Sequence, residues 1–322
     1  MHPLHQGRQG DEGRLTPSRP RRCRISATRL PSTERPHPRS GDLDALSARE
    51  LLRRLHSEDL QAVRAVGKVL DVVARAAELA AEALGRGGRL IWVGAGTSGR
   101  LGALDAAECP PTFGTRPSQV VAVVAGGARA LRSAVEGAED DPRDGAARIR
   151  RLRVGRRDLV CGITASARTP FVLGALLEAR RRGARTALLC CADRPPRPPP
   201  ADLVIAVPTG PELIAGSTRL KAGTATKLVL NAVSTAAMVR LGKVYRGRMT
   251  SLGVLGNHKL RRRALRTLAE LTGASEARSR RLLEAARGRV DVALAMAFTG
   301  RPAREAAGLL RGRGLRVLER LR

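Results

Sequence analysis

The sequence predicts an α/β protein: a doubly wound parallel sheet followed by a small helical C-terminal module. Three observations carry that prediction. Five short apolar, β-branched runs, Arg89–Val93, Gln119–Val124, Asp158–Thr164, Thr186–Cys191 and Leu203–Val207, alternate with stretches of helical periodicity, the order that makes parallel strands joined by crossover helices. Two of these runs end in glycine- or hydroxyl-rich loops that lead directly into a helical pattern. Aromatic residues contribute only 2% of the chain, which suits Ala- and Leu-rich helices on a Val-rich sheet better than a β-sandwich.

The elements follow in order. Residues 1–40 are rich in Arg, Pro, Ser and Gly without periodicity and read as a disordered basic tail. Residues 41–85 read as N-terminal helices, over Leu43–Arg54 and Leu60–Leu84. Residues 86–243 hold the five strands. The helix after the first strand starts at Leu101 and is stopped after Glu108 by Pro110 and Pro111. Further helices are expected at Ala128–Val135, Pro142–Leu152 and Pro170–Arg181, and a long amphipathic one at Arg219–Leu241. Residues 244–322 form the helical module, with breaks at Thr272–Ser275 and Thr299–Pro302.

Composition excludes several classes. No apolar run approaches the ~18–20 residues of a membrane span, and the N-terminus lacks a hydrophobic leader core, so a cytoplasmic protein with no membrane partner is expected. The five cysteines have neither metal-ligand spacing nor a disulfide framework, and Cys161 and Cys190 sit in strand-like runs as core residues. The net charge of +30 invites a nucleic-acid reading, yet residues 1–41 carry +6 and residues 243–322 carry +14 of it. With no aromatic interleaving, zinc pattern or recognition helix, no specific nucleic-acid partner is expected.

The first strand runs into Gly94-Ala95-Gly96-Thr97-Ser98-Gly99. Glycines there let the backbone turn and approach an anion closely, the helix start offers free N–H groups, and Thr97 and Ser98 add hydroxyl donors. The spacing also satisfies the dinucleotide pattern, but that reading needs an acid at the end of the next strand. Gln119–Val124 ends in Ala125-Gly126-Gly127 instead, which favours a monophosphate; a ligand-free strand-to-helix turn is the alternative. The third strand runs into a second such loop, Ala165-Ser166-Ala167-Arg168-Thr169-Pro170. In a doubly wound sheet both loops lie at the carboxyl ends of the strands, where Gly96, Thr97, Ser98, Gly99, Ser166 and Thr169 can hold one phosphate; simple N-capping by Ser166 or Thr169 is the plainer account.

Carboxylates supply the chemistry. Glu108, at the negative end of a short helix and near Asp105, is placed to stay protonated and act as an acid. The acidic segment Glu136–Asp141 follows the next strand and helix, and Glu139 in it is a candidate by position, a solvated charged face being the alternative. Glu212 precedes Gly216-Ser217-Thr218, and Arg219 and Lys221 open the following helix. Cations there oppose the helix dipole and point to an anion nearby, surface charge being the alternative.

At the level of motifs the chain resembles the N-acetylmuramic acid 6-phosphate etherases, which carry a sugar-isomerase (SIS) domain related to that of the glucokinase regulatory proteins. The resemblance rests on Gly94–Gly114, Ala134–Asp140, Gly162–Pro170 and Gly216–Lys227, continues through Leu228–Asn231, Ser234–Met238 and Gly242–Tyr245, and extends from about Ser32 to near the C-terminus. It implies that 86–243 is a SIS sugar-phosphate domain and that the chain cleaves the D-lactyl ether of N-acetylmuramic acid 6-phosphate. The products are N-acetylglucosamine 6-phosphate and D-lactate, in cell-wall sugar recycling. It further implies Glu108 as proton donor, Glu139 as the second catalytic carboxylate, and Thr97, Ser98, Ser166 and Thr169 around the phosphate. Glu212, Ser217 and Lys221 are then expected beside the substrate, with a homodimer whose subunits help form each site and no metal, nucleotide or redox cofactor. A sugar-phosphate isomerase using the same cradle with one base, or a noncatalytic sugar-phosphate sensor, is the rival reading; retention of both glutamates favours elimination.

The chain departs from the family's pattern in places. Ala167 replaces a usual glycine, which crowds the second loop if that position has a positive φ. Ala215 stands where a hydroxyl is common. The stretch Arg246–Gly256 lacks the family's usual wording before Asn257, Lys259 and Leu260 rejoin it.

Overall fold

A computed structural model describes residues 31–193, 199–251, 258–310, 314, 315 and 317. Two helices, α1 (Ala48–Gly67) and α2 (Leu70–Gly85), precede the sheet. There follow β1 (Leu90–Gly94), α3 (Gly96–Phe113), β2 (Val120–Val124), α4 (Pro142–Arg151), β3 (Leu159–Ile163), α5 (Pro170–Arg181), β4 (Arg185–Cys190), β5 (Leu203–Ala206) and α6 (Lys221–Arg240). A hairpin, β6 (Val244–Tyr245) and β7 (Arg248–Met249), leads to α7 (His258–Thr272), α8 (Glu276–Ala285), α9 (Val290–Thr299) and α10 (Ala303–Leu309).

The five long strands are all parallel, in the order β2-β1-β3-β4-β5, with Leu90 facing Val120 on one side and Leu159 on the other. Alternation along each strand sorts the core. Leu90, Trp92, Leu159, Cys161 and Leu189 join the apolar cluster under α1, α2, α3 and α6, while Ile91, Val93, Val160 and Leu188 join the cluster under α4 and α5. Burial on both faces explains why the strands read as continuous apolar runs. The cysteines among the described residues, Cys109, Cys161, Cys190 and Cys191, are buried free thiols; burial pushes Cys161 up to about 12 and Cys190 to about 11. Cys23 lies outside the described residues.

Helix α3 lies unusually close to β1. A Cβ on Gly99 would sit 2.6 Å from the Gly94 carbonyl oxygen, and one on Gly102 would sit 2.9 Å from Trp92 Cβ. Helix α3 differs from the expected Leu101–Glu108 span at both ends. It starts at Gly96 rather than Leu101, and it continues through Pro110 and Pro111 to Phe113. The two prolines remove donors to Ala106 and Ala107, but their fixed φ is compatible with the helix, which ends at Gly114 in the left-handed conformation with its N–H on the Pro110 carbonyl. Glu108 is therefore not the terminal residue of its helix.

Other boundaries moved as well. The first two helices break at Lys68–Val69, not between Arg54 and Leu60. In place of a helix over Ala128–Val135 there is a 3-10 turn at Gly127–Leu131, entered through Gly126 and Gly127 with φ of 78° and 68°. The helix expected as amphipathic, α6, is buried around most of its circumference between α1, α2 and α3. Residues 1–30 of the expected tail lie outside the described residues, whereas Ser32–Glu34 form a 3-10 turn with Thr33 fully buried. In the C-terminal module the breaks at Thr272–Ser275 and Thr299–Pro302 appear as expected. The hairpin was missed: Arg246 and Gly247 at its turn have φ of 46° and 71°, the two-residue turn that matches strand twist. Tyr245 of β6 packs near Phe298 of α9, ring centroids 6.3 Å apart, beside a core of Leu268, Leu283, Val290 and Leu294. Among the described residues no helix is long and apolar enough to cross a membrane.

Candidate active site

The first cradle is the start of α3 at the carboxyl end of β1. Ala95 provides no side-chain cap, so the N–H groups of Gly96, Thr97 and Ser98 have no acceptor within the helix; the first intrahelical bond runs from Gly99 N to Ala95 O at 3.1 Å. Gly96 has φ of 51° and is exposed, Thr97 and Ser98 are half-buried, and Gly99 is buried against the strand. An eighteen-residue helix thus presents its positive end and two hydroxyls at the sheet edge.

The second loop leaves β3 beside it, because Gly94 and Ile163 are paired neighbours in the sheet. Capping does not account for its hydroxyls. Thr169 occupies the N-cap position of α5 but makes no capping bond; its Oγ1 lies 2.7 Å from Thr164 Oγ1. Ser166 Oγ accepts the Arg168 N–H at 3.3 Å rather than an N–H of the helix. Ala167 does adopt a positive φ, 60°, and is buried. An L-residue with a Cβ costs about 1–2 kcal/mol there, against about 0.8 kcal/mol for the one buried methyl lost on truncation. Ala167→Gly is therefore expected to raise the melting temperature by a degree or so; a lower melting temperature would mean the methyl's packing outweighs the strain.

Glu139 is tied to this edge through its backbone. Its carbonyl accepts the Phe171 N–H at 3.0 Å in the first turn of α5, while its side chain is exposed. The neighbouring Asp141 has a different task, capping α4 through Arg143 N at 2.8 Å and Asp144 N at 3.2 Å. Glu108 is exposed too, but α3 carries it about 16 Å along the helix axis from Thr97. The fold thus ties the Glu139 backbone to the start of α5, beside the second loop, and leaves Glu108 down the α3 helix. Leu104, one turn before Glu108 on the same side of α3, is 50% exposed.

Asp105, expected to act on Glu108, points the other way. It is buried, accepting from Trp92 Nε1 at 2.9 Å and Ser234 Oγ at 2.7 Å. Burial raises its carboxyl above the usual carboxylate range, against the pull of those two donors. Its work is to join β1, α3 and α6.

The Glu212–Lys221 segment also differs from expectation. Helix α6 starts at Lys221, so Arg219 lies before it. Glu212 is 1% exposed, and its carboxylate accepts the backbone N–H of Lys221 at 3.2 Å and of Ala222 at 2.9 Å. It caps α6, and burial raises its carboxyl despite those bonds. The anion that Lys221 signalled is internal: its ammonium is bonded to Glu58 of α1. Glu58 also takes Arg39 and His37 Nε2, the latter at 3.3 Å. Burial pushes Glu58 up, but the bonds from Lys221 and Arg39 and the charges around it hold it below the usual range. Ser217 stays half-buried in the loop before α6. That loop adjoins the cradle, since a Cβ on Gly223 would lie 3.4 Å from Thr218 O and 3.6 Å from Thr97 Cγ2. Sequence reasoning missed Glu58, His37 and Arg39; the place of Glu58 four residues before Ala62, on the same face of α1, offered only a faint signal.

The chain is similar to known proteins over most of its length. Residues 71–180 match the family model described as glucokinase regulatory protein N-terminal SIS domain, and residues 262–310 match a UBA-like domain. A protein of Rippkaea orientalis named N-acetylmuramic acid 6-phosphate etherase is 49% identical over 278 residues, which cover 86% of this chain and 90% of that protein. One of the same name from Cutibacterium acnes is 46% identical over 285 residues, covering 88% and 93%. Among solved structures, a phosphoheptose isomerase from Francisella tularensis superposes with a TM-score of 0.47 at 18% identity, over 60% of this chain and all of that one. With nearly half of the residues identical across almost the whole length of those relatives, the chain belongs to the N-acetylmuramic acid 6-phosphate etherase family.

Proposed function

We propose that this enzyme, a carbon–oxygen lyase, cleaves the D-lactyl ether of N-acetylmuramic acid 6-phosphate through Glu139 as base and Glu108 as acid, and works in the cytoplasm as a homodimer. The products are N-acetylglucosamine 6-phosphate and D-lactate, a step in recycling cell-wall amino sugars. In the open-chain aldehyde the carbonyl acidifies the carbon-2 proton. Glu139 removes it, Glu108 protonates the lactate oxygen leaving carbon 3, and water adds to the unsaturated aldehyde, so both carboxyls return to their starting states. Thr97, Ser98, Ser166 and Thr169, with the free amides of α3, hold the phosphate and fix the distance to the base.

One observation carries this reading: two helix starts without side-chain caps lie side by side at the ends of β1 and β3, with the Glu139 backbone carbonyl hydrogen-bonded into the second. The length of α3 between Thr97 and Glu108 supports a site completed by a second copy, whose own α3 brings its Glu108 to this cradle. The exposed Leu104 beside Glu108 supplies apolar surface for that contact. Buried, unpaired thiols at Cys109, Cys161, Cys190 and Cys191 fit a reducing compartment. The direct test is incubation of the purified protein with N-acetylmuramic acid 6-phosphate and assay of D-lactate. Release is expected; a sugar-phosphate isomerase or a sensor would give none.

A further inference from the structure

Residues before α1 form part of the same edge. The backbone of Thr33 accepts the Gly216 N–H at 3.3 Å, which places the Ser32–Glu34 turn on the loop that carries Ser217. Gly216 has φ of 76°, and a Cβ there would lie 2.9 Å from Glu34 Oε2, so the carboxylate rests against the loop backbone. From Gly216 the path to the cradle is short: Thr218 N donates to Gly216 O at 2.9 Å, and Thr218 and Thr97 both border Gly223. The turn is pinned from behind, where Arg39 and His37 grip Glu58, itself held by Lys221.

Within this anchored turn the polar groups are unemployed. Ser32 Oγ and Thr33 Oγ1 are buried and have no hydrogen-bond partner among the described residues. The Glu34 carboxylate rests against the loop without a hydrogen bond or ion pair among the described residues, and it is exposed. Burying hydroxyls without partners costs free energy, and a carboxylate held at a glycine of a substrate loop is an acceptor waiting for donors.

We infer that Glu34 is a substrate-binding residue, accepting hydrogen bonds from the hydroxyl or acetamido N–H donors of the hexose whose phosphate sits on α3. The inference rests on the sugar-phosphate reading of the cradle and deepens it. The phosphate loops recognise any phosphorylated ligand, and Glu34 adds selection for a sugar bearing donors at the other end. Arg39, His37 and Glu58 are positioning residues that hold the turn over the loop.

The test uses the full-length protein and its Glu34→Gln and Glu34→Ala variants. Glu34→Gln is expected to raise KM for N-acetylmuramic acid 6-phosphate and to weaken binding of N-acetylglucosamine 6-phosphate by roughly 10- to 100-fold, the worth of a hydrogen bond to a charged group. Competition by inorganic phosphate and the melting temperature are expected to stay at wild-type values, which a merely structural role would not allow. Wild-type KM and product affinity in both variants would overturn the role of Glu34 alone. Equal loss of phosphate binding and thermal stability would overturn it too, by making Glu34 a structural residue. A wild-type protein that neither releases D-lactate nor binds N-acetylglucosamine 6-phosphate would remove the underlying reading as well.

Discussion

Glu139→Gln is expected to reduce D-lactate release by about 10²- to 10⁴-fold, the usual contribution of a positioned general base, with N-acetylglucosamine 6-phosphate still bound at wild-type affinity. Glutamine keeps the shape of the side chain but cannot accept the carbon-2 proton. The backbone carbonyl that bonds Phe171 N is untouched, and the side chain is exposed, so neither the α5 start nor the fold is at stake. Isotope exchange separates the two carboxyls. In heavy water, wild-type protein is expected to exchange the carbon-2 hydrogen of N-acetylglucosamine 6-phosphate, Glu139→Gln to lose that exchange, and Glu108→Gln to keep it while losing lactate release. Retained exchange in Glu139→Gln would move the base elsewhere.

Features written in local chemistry were legible in the sequence, and those that depend on distant partners were not. Each of the five strands was placed to within about two residues because apolar β-branched runs buried on both faces leave a continuous signature. The Gly96–Gly99 and Ser166–Thr169 loops were legible because strand-to-helix turns need glycine and hydroxyl residues whatever they bind. Helix α3 misled because prolines usually stop helices, while here the chain continues for one more turn to Gly114. Asp105 was read by its neighbour in sequence, Glu108, although its partner Ser234 lies 129 residues away. Lys221 was read as facing a substrate anion, whereas its ammonium bonds Glu58, 163 residues earlier and on another helix. No periodicity or spacing encodes such pairs. The same limit hid the turn at Ser32–Glu34, whose composition resembles the preceding tail and whose order comes from Gly216 and Glu58.

Coexpressing Glu108→Gln with Glu139→Gln chains decides how the two carboxyls meet. Each variant alone is expected to be nearly inactive, since every site lacks either acid or base. If each site combines Glu139 of one chain with Glu108 of its partner, a mixed dimer contains one doubly altered site and one intact site. Random pairing makes half of the dimers mixed, so about a quarter of wild-type activity should return in a two-fold symmetric pair. If both carboxyls came from one chain, every site in the mixture would carry one glutamine and nothing would return. The separation of about 16 Å along α3 predicts recovery, because the hexose held at one end of that helix must meet an acid that its own chain carries toward the other. Leu104 supplies a third arm: Leu104→Asp, on the same exposed stripe as Glu108, should weaken the dimer and lower activity most at dilute protein concentration, whereas a self-contained site would be indifferent to dilution.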